Sequence, residues 1–270
     1  MEKVSINGAE IEYEVRGSGD PLLLIHGAIL ADAFLPLMIE PSIASNYQVI
    51  YHHRRGFAGS TRATSSLSIK ERASDCLALL GHLGVPQAHV AGHSYGGLIA
   101  LQCALDAPDR VVSLALLEPA LFGSAPSAPE VMQAFGPIVG MYDSGDKVGT
   151  TDAFINLVGG PDFRKVIDEV LPPGAFDLAV SDIDAWFQSE MPAFETWSFT
   201  AEEAKDIRQP VLSVVGDETL PVFRECHDLV KQWIPQAEES IIPQATHALQ
   251  MMNPRAVAES LAGFFARHKP

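Results

Sequence analysis

The chain has 270 residues, of which 47% are hydrophobic and 19% charged, and it carries a formal net charge of -16. That length supports one large domain with a full core, or a core domain bearing an insertion, and the composition excludes extensive disorder. The charge excludes a sequence-independent grip on nucleic acid or on anionic membrane, both of which need Lys and Arg in excess.

The opening segment, MEKVSINGAEIEYEV, lacks a basic start followed by an apolar run, so no signal peptide is read there. No stretch approaches the roughly 18 uninterrupted apolar residues of a membrane span, and the expected location is cytoplasmic. Val4 to Ile6 and Ile11 to Val15 alternate in side-chain character around Asn7-Gly8, which predicts an antiparallel hairpin. Leu22 to Ile25 and Val49 to Tyr51 are continuously apolar, and Val111 to Leu117 and Val211 to Val215 are apolar but for Ser113 and Ser213, as strands buried on both faces of a parallel sheet are. Amphipathic stretches of helical length lie between and after them: Ile69 to Leu83, Leu98 to Ala107, Val222 to Trp233, and Arg255 to Arg267 behind an Asn253 cap and Pro254. This alternation predicts an α/β architecture with a doubly wound, mostly parallel sheet.

Residues 122–200 break the rhythm. They hold no buried-strand run, but short helices are predicted near Val131 to Met141, Asp152 to Leu157, Phe163 to Val170 and Phe176 to Met191. The division expected is a core formed by residues 1–121 and 201–270 with a helical cap inserted after the sixth strand. Twelve acidic residues face three basic ones in the insertion, a balance of -9. Such acidity suits a solvated outer face, or a roof that repels anionic substrates from a cleft. Cys76, Cys103 and Cys226 are odd in number, far apart and in helical segments, which argues against a disulfide framework or a metal cluster.

The chemistry is announced by Gly92-His93-Ser94-Tyr95-Gly96-Gly97, set between an apparent strand and a helix. In a sharp strand-to-helix turn the central residue is strained and neighbouring backbone passes close, so small residues are needed on either side of Ser94. Ser94 would lift its hydroxyl above the sheet beside the positive end of the next helix. Here the sequence resembles the α/β-hydrolase superfamily, in its serine-nucleophile branch with a helical cap. The resemblance extends to Ala107-Pro108-Asp109-Arg110-Val111, to His26-Gly27 after the third strand, and to Arg54-Arg55-Gly56-Phe57 with Ser60 after the fourth. It implies an eight-stranded sheet and an oxyanion hole formed by the backbone N–H groups of Tyr95 and Ala28, with Ile29 as the alternative to Ala28 if the loop shifts by one residue. The sequence departs from the family at His53, where an Asp is usual, and at Ala58, where a second Gly is usual.

His247 lies in Gln244-Ala245-Thr246-His247, between the apparent strand Glu239 to Ile242 and the terminal helix, where the family's chain order puts the base. An imidazole can take the serine proton at neutral pH and return it to the leaving group. His82, His89, His227 and His268 are read as exposed and uninvolved. His26, His52, His53 and His93 fall near strand ends, but no suitable carboxylate or Cys spacing accompanies them, and no metal is expected. The acid is open. The family's usual position, three residues after Gly216, is Thr219, which leaves Asp217 in the same loop and Glu118, directly after the sixth strand and 24 residues beyond Ser94. Glu118 is preferred, because a carboxylate ending a strand that is apolar but for Ser113 needs a partner and the Nδ1–H of His247 would be one.

A Ser nucleophile suits acyl transfer and disfavours the carboxylate-based dehalogenase and epoxide hydrolase relatives. The expected reaction is hydrolysis of a carboxylic ester or lactone of a small, apolar, uncharged substrate through an acyl-Ser94 intermediate, with no cofactor. Carbon-carbon hydrolases, cofactor-free perhydrolases and slowly turning hydrolase-like receptors share the same parts. Ile29, Trp186 and Met191 are the candidate substrate-binding residues, and Phe135, Met141, Phe154, Phe187 and Trp197 are further candidates for an apolar pocket or for simple core. The only partner expected beyond the small-molecule substrate is a second copy of the chain, in a homodimer.

Overall fold

The computed structural model describes residues 1–63 and 65–269. The first half runs β1 (Glu2–Ile6), β2 (Ala9–Arg16), β3 (Asp20–Ile25), α1 (Leu35–Met38), α2 (Pro41–Ala44), β4 (Tyr47–His53), α3 (Ile69–His82), β5 (Ala88–His93), α4 (Tyr95–Asp106) and β6 (Val111–Leu117). Helices α5 (Ala128–Asp143), α6 (Lys147–Gly159), α7 (Phe163–Val170), α8 (Ala175–Ala185) and α9 (Met191–Thr196) come next. The chain then forms β7 (Val211–Gly216), α10 (Pro221–Trp233), β8 (Glu238–Ile242), α11 (Leu249–Met252) and α12 (Pro254–Phe265).

The eight strands form one sheet in the order β1-β2-β4-β3-β5-β6-β7-β8, with β1 and β2 antiparallel and β3 to β8 parallel. The hairpin turns where Asn7 (φ 48°) and Gly8 (φ 77°) are both left-handed, as a two-residue turn matched to strand twist requires. The apolar runs divide by parity. Leu23 and Ile25 join Val90, Leu114 and Leu116 under α3, α4 and α10, whereas Leu22 and Leu24 join Val49, Tyr51, Ala115 and Leu117 under α12. Each such strand is thereby buried on both faces, which is why apolar residues dominate it, the buried Ser113 of β6 and Ser213 of β7 being the polar exceptions. Helix α3 begins with a full capping box between Ser68 and Glu71, and α12 with the Asn253 side chain accepting from Ala256 N–H.

Between β6 and β7 the apolar faces of α5 to α8 meet in their own cluster, built on Phe135, Phe154, Phe163, Ile167, Phe176 and Ile183. Phe163 and Ile167 stand one turn apart on α7, and burying each side chain of this size contributes about 1.5–3 kcal/mol. The cluster extends onto the core through Ile29, Ala33, Ala248 and Met251. The helix expected near Phe176 to Met191 is interrupted, since α8 gives way to a π-helical turn at Trp186–Glu190 before α9 begins at Met191. Two histidines read as exposed are buried. His89 lies on β5 with Nδ1 2.8 Å from Ser113 Oγ, and His227 lies on the inner face of α10 with Nδ1 2.8 Å from Ser213 Oγ. Their serine partners sit on neighbouring strands, so local polarity could not reveal the pairing. The three cysteines are free and buried.

Candidate active site

Ser94 separates β5 from α4 and has φ 54° and ψ -119°, an unfavourable conformation for an L-residue. The elbow is held by Ser94 N–H donating to Leu117 O at 2.9 Å and by Gly97 N–H donating to Ser94 O at 2.9 Å. A side chain on Gly92 would collide with the Gly96 carbonyl, and one on Gly96 with the Ile25 carbonyl, so this close approach of elbow and β3 requires both glycines. Strain gathers around the site, because Ile29 (φ 51°) and Glu118 (φ 45°) are left-handed as well.

His247 is buried in the loop after β8, and its ring stacks flat on Phe223 of α10 at 3.6 Å between centroids. Its Nδ1 lies 2.7 Å from Glu118 Oε2. The same oxygen accepts the Thr219 hydroxyl at 2.9 Å, and Oε1 accepts Gly216 N–H at 2.8 Å. Thus Thr219, which stands at the family's usual acid position, donates its hydroxyl to Glu118. Asp217 is exposed and accepts Ala245 N–H at 3.3 Å, away from the imidazole. Burial raises the Glu118 carboxyl to about 7 against the pull of Gly216 and Thr219, and burial lowers His247 to about 3. The lowered value keeps His247 neutral at neutral pH, the state able to accept a proton. His93 Nε2 donates to His247 O at 2.8 Å and fixes the loop; its own pKa falls to about 3 through burial and the neighbouring His247.

Ser94 and His247 open on the same cavity, although no hydrogen bond joins them among the described residues. Such bonds often tighten only when substrate is present. A Cβ on Gly27 would stand 3.1 Å from the Ser94 Cβ, so the loop after β3 passes directly over the elbow. Neither Tyr95 N–H nor Ala28 N–H has a protein partner among the described residues, and both residues line the cavity. The cavity measures about 640 Å³ and is mostly apolar. Ile29, Trp186 and Met191 line it together with Phe135, Phe154 and Trp197. Met141 and Phe187 do not: Met141 is 38% exposed, and Phe187 is stacked on Tyr142 at 4.0 Å inside the helical cluster between β6 and β7. Helical spacing placed these side chains in the helical stretch of residues 122–200 but could not say which way each would face.

The departures at His53 and Ala58 are also explained. His53 bridges two carboxylates, with Nδ1 2.7 Å from Glu12 and Nε2 3.0 Å from Asp32. Burial alone would lower its pKa, but the hydrogen bonds to Asp32 and Glu12 raise it above the ordinary value. Ala58 adopts φ 47° and donates its N–H at 2.8 Å to Asp182 of α8. Asp182 also pairs with Arg62, so part of the insertion's acidity ties it to the core rather than facing solvent.

Fold and site define the class: a doubly wound sheet carrying a strained serine elbow, with His247, backed by the buried Glu118, facing the same cavity. The alpha/beta hydrolase fold family matches residues 20–165, and the chain belongs to it, with hydrolysis as the activity of its class. It is 30% identical to the RutD protein of Azorhizobium caulinodans, whose name proposes carbamate hydrolysis, over 95% of each chain. Among solved structures, Est816, titled as an N-acyl homoserine lactone degrading enzyme, is 26% identical with a TM-score of 0.75, over 97% of this chain and 100% of that one. A thermophilic esterase from Thermogutta terrifontis superposes with a TM-score of 0.79 over 100% of both chains at 20% identity, a likeness of fold. No helix among the described residues is long and apolar enough to cross a membrane.

Proposed function

We propose that the protein hydrolyses a carboxylic ester or lactone through an acyl-Ser94 intermediate. The observation that carries this reading is a serine at a strained elbow and an imidazole, bonded through Nδ1 to a buried carboxylate at 2.7 Å, facing one apolar cavity. His247 takes the Ser94 proton as the hydroxyl attacks the substrate carbonyl and returns it to the leaving alcohol; water then repeats the sequence and frees the acid. Glu118 holds the proton of His247 on Nδ1, leaving Nε2 free to accept. The N–H groups of Tyr95 and Ala28 receive the oxyanion, each such donor being worth about 3–4 kcal/mol in the transition state.

A volume of about 640 Å³ lies within the range of small-molecule sites, and its apolar walls favour an uncharged substrate with an apolar acyl group or ring. The lactone-degrading title of Est816 and the carbamate in the RutD name mark the neighbouring chemistries to include in a screen. In this reading residues 122–200 form the cap that roofs the cavity. The test is turnover of p-nitrophenyl esters of graded length beside lactones and carbamates, with Ser94→Ala as the blank. The variant should lose several powers of ten in kcat. Covalent labelling by an organophosphate at a residue other than Ser94 would overturn the proposal.

A further inference from the structure

The π-helical turn contains Glu190, a fully buried carboxylate 136 residues along the chain from the core arginine it meets. Arg54, at the end of β4, pairs with Glu190 through Nη1, and Arg72 of α3 approaches the same carboxylate at 3.2 Å. Arg72 also donates to Ser189 Oγ at 2.9 Å, so two cationic side chains of the core grip one turn of the cap. The other edge of the Arg54 guanidinium faces the loop after β3. There Nη2 donates to Gly27 O at 2.7 Å and Nε donates to His26 O at 3.2 Å. His26 accepts Arg54 N–H on Nε2 at 3.1 Å, which leaves its proton on Nδ1, 2.8 Å from the same Gly27 oxygen. The Gly27 carbonyl therefore receives two donors.

That carbonyl shares a peptide plane with Ala28 N–H. In a trans peptide the C=O and N–H point in opposite directions, and rotating one rotates the other. A guanidinium on the oxygen thus aims the N–H on the far side, and a cationic donor there polarises the peptide so that the N–H donates more strongly. Arg54 also lies over the ring of Tyr95, 5.1 Å from its centroid, and Trp186 of the π-helical turn meets that ring edge-on at 5.9 Å. Both residues assigned to the oxyanion hole are therefore in contact with this one assembly.

We infer that Arg54 is a positioning residue for the oxyanion hole, and that Glu190 makes the aim of Ala28 N–H depend on the cap being seated on the core. The inference rests on the serine hydrolase reading and assigns its oxyanion loop a partner in the cap. An interaction that acts on the developing oxyanion alters kcat and leaves ground-state binding nearly untouched.

The experiment compares wild type with Arg54→Met, Arg54→Lys and Glu190→Gln, reading kcat and KM on p-nitrophenyl butyrate and the Ki of butylboronic acid, whose tetrahedral adduct with Ser94 places an oxygen in the hole. Arg54→Met should lower kcat about 10- to 100-fold, bounded by loss of a whole donor, and raise the boronate Ki in parallel, with KM within about threefold. Arg54→Lys, which keeps one charged donor, should recover part of the loss, and Glu190→Gln, which keeps the shape of the cap turn, should reproduce a smaller version of it. If Arg54→Met does not fold, the Glu190→Gln and Arg54→Lys pair decides. Unchanged kcat and Ki, or a rise in KM alone, would overturn the inference. Labelling of wild type by an alkyl fluorophosphonate separates the two levels: the Ser94 oxygen displaces fluoride from phosphorus and His247 takes the proton. Labelled Ser94 with unaffected variants sinks this inference alone, whereas no labelling at Ser94 sinks the hydrolase reading and this inference with it.

Discussion

Replacing Glu118 by Gln tests the acid with almost no change of shape. The carboxylate accepts Gly216 N–H on Oε1, and on Oε2 it faces both the Thr219 hydroxyl and His247 Nδ1. An amide has one oxygen and one NH₂. If the oxygen stays on Gly216, the NH₂ donates to Nδ1 and drives the imidazole proton to Nε2, the atom that must receive the serine proton. If the amide turns round, the productive tautomer survives but two donors oppose each other in a buried site, at a cost of about 1–3 kcal/mol. Even this more favourable arrangement predicts a loss of about tenfold to a hundredfold, and the wrong tautomer in the Ser-His-Asp template costs about 10⁴. The expected loss in kcat for Glu118→Gln is therefore between about 10 and 10⁴, or roughly 1–5 kcal/mol. Glu118 lies behind His247 and does not line the cavity, so KM should change little. Steady-state kinetics on a p-nitrophenyl ester, beside Asp217→Asn, would measure both parameters. A loss below tenfold, or a larger loss for Asp217→Asn, would refute the reasoning.

Because burial raises Glu118 to about 7 and the carboxylate form is the one that orients His247, kcat/KM should climb as pH rises through about 7 and then level. If the same limb persists in the residual activity of Glu118→Gln, it belongs to another group. Ala58→Gly relieves a left-handed alanine and should stabilise the protein by about 1 kcal/mol in urea unfolding; a decrease would show that the strain lies elsewhere. The folded pKa of His53 is raised, so its bridge to Glu12 and Asp32 adds stability that is complete below its ordinary 6.5 and is lost as pH climbs through the folded value. The Tm difference between wild type and His53→Gln should accordingly shrink from pH 6 toward alkaline pH, and a constant difference would rule the bridge out as its source.

Much of the site was legible because its parts are local. The elbow glycines, the hairpin at Asn7-Gly8 and the loop placing His247 after β8 each answer a backbone demand within a few residues. Glu118 was legible only as one of two candidates. Its position next to His247 comes from the parallel pairing of β6 with β7, where Leu117 faces Val214 and Glu118 N–H donates to Val214 O at 3.0 Å. Thr219 carried a weak signal, a hydroxyl where an acid is usual. Phe223, Arg54 and Glu190 carried none, because an aromatic on an amphipathic helix, a charge in a turn and an acid in an acidic segment are ordinary locally.

Taken alone, the order of residues determined the alternation of strands and helices, the strained serine and the chain order of the candidate nucleophile and base, since these follow from φ preferences, hydrophobic period and spacing along one segment. Only the folded molecule decided which carboxylate meets the imidazole, which side chains of residues 122–200 turn toward the cavity, and that the acids Asp182 and Glu190 bind that segment to Arg62 and Arg54. Those outcomes depend on distances between segments far apart in the chain, and on burial, which removes water and leaves each polar group only the partners that folding brings within reach.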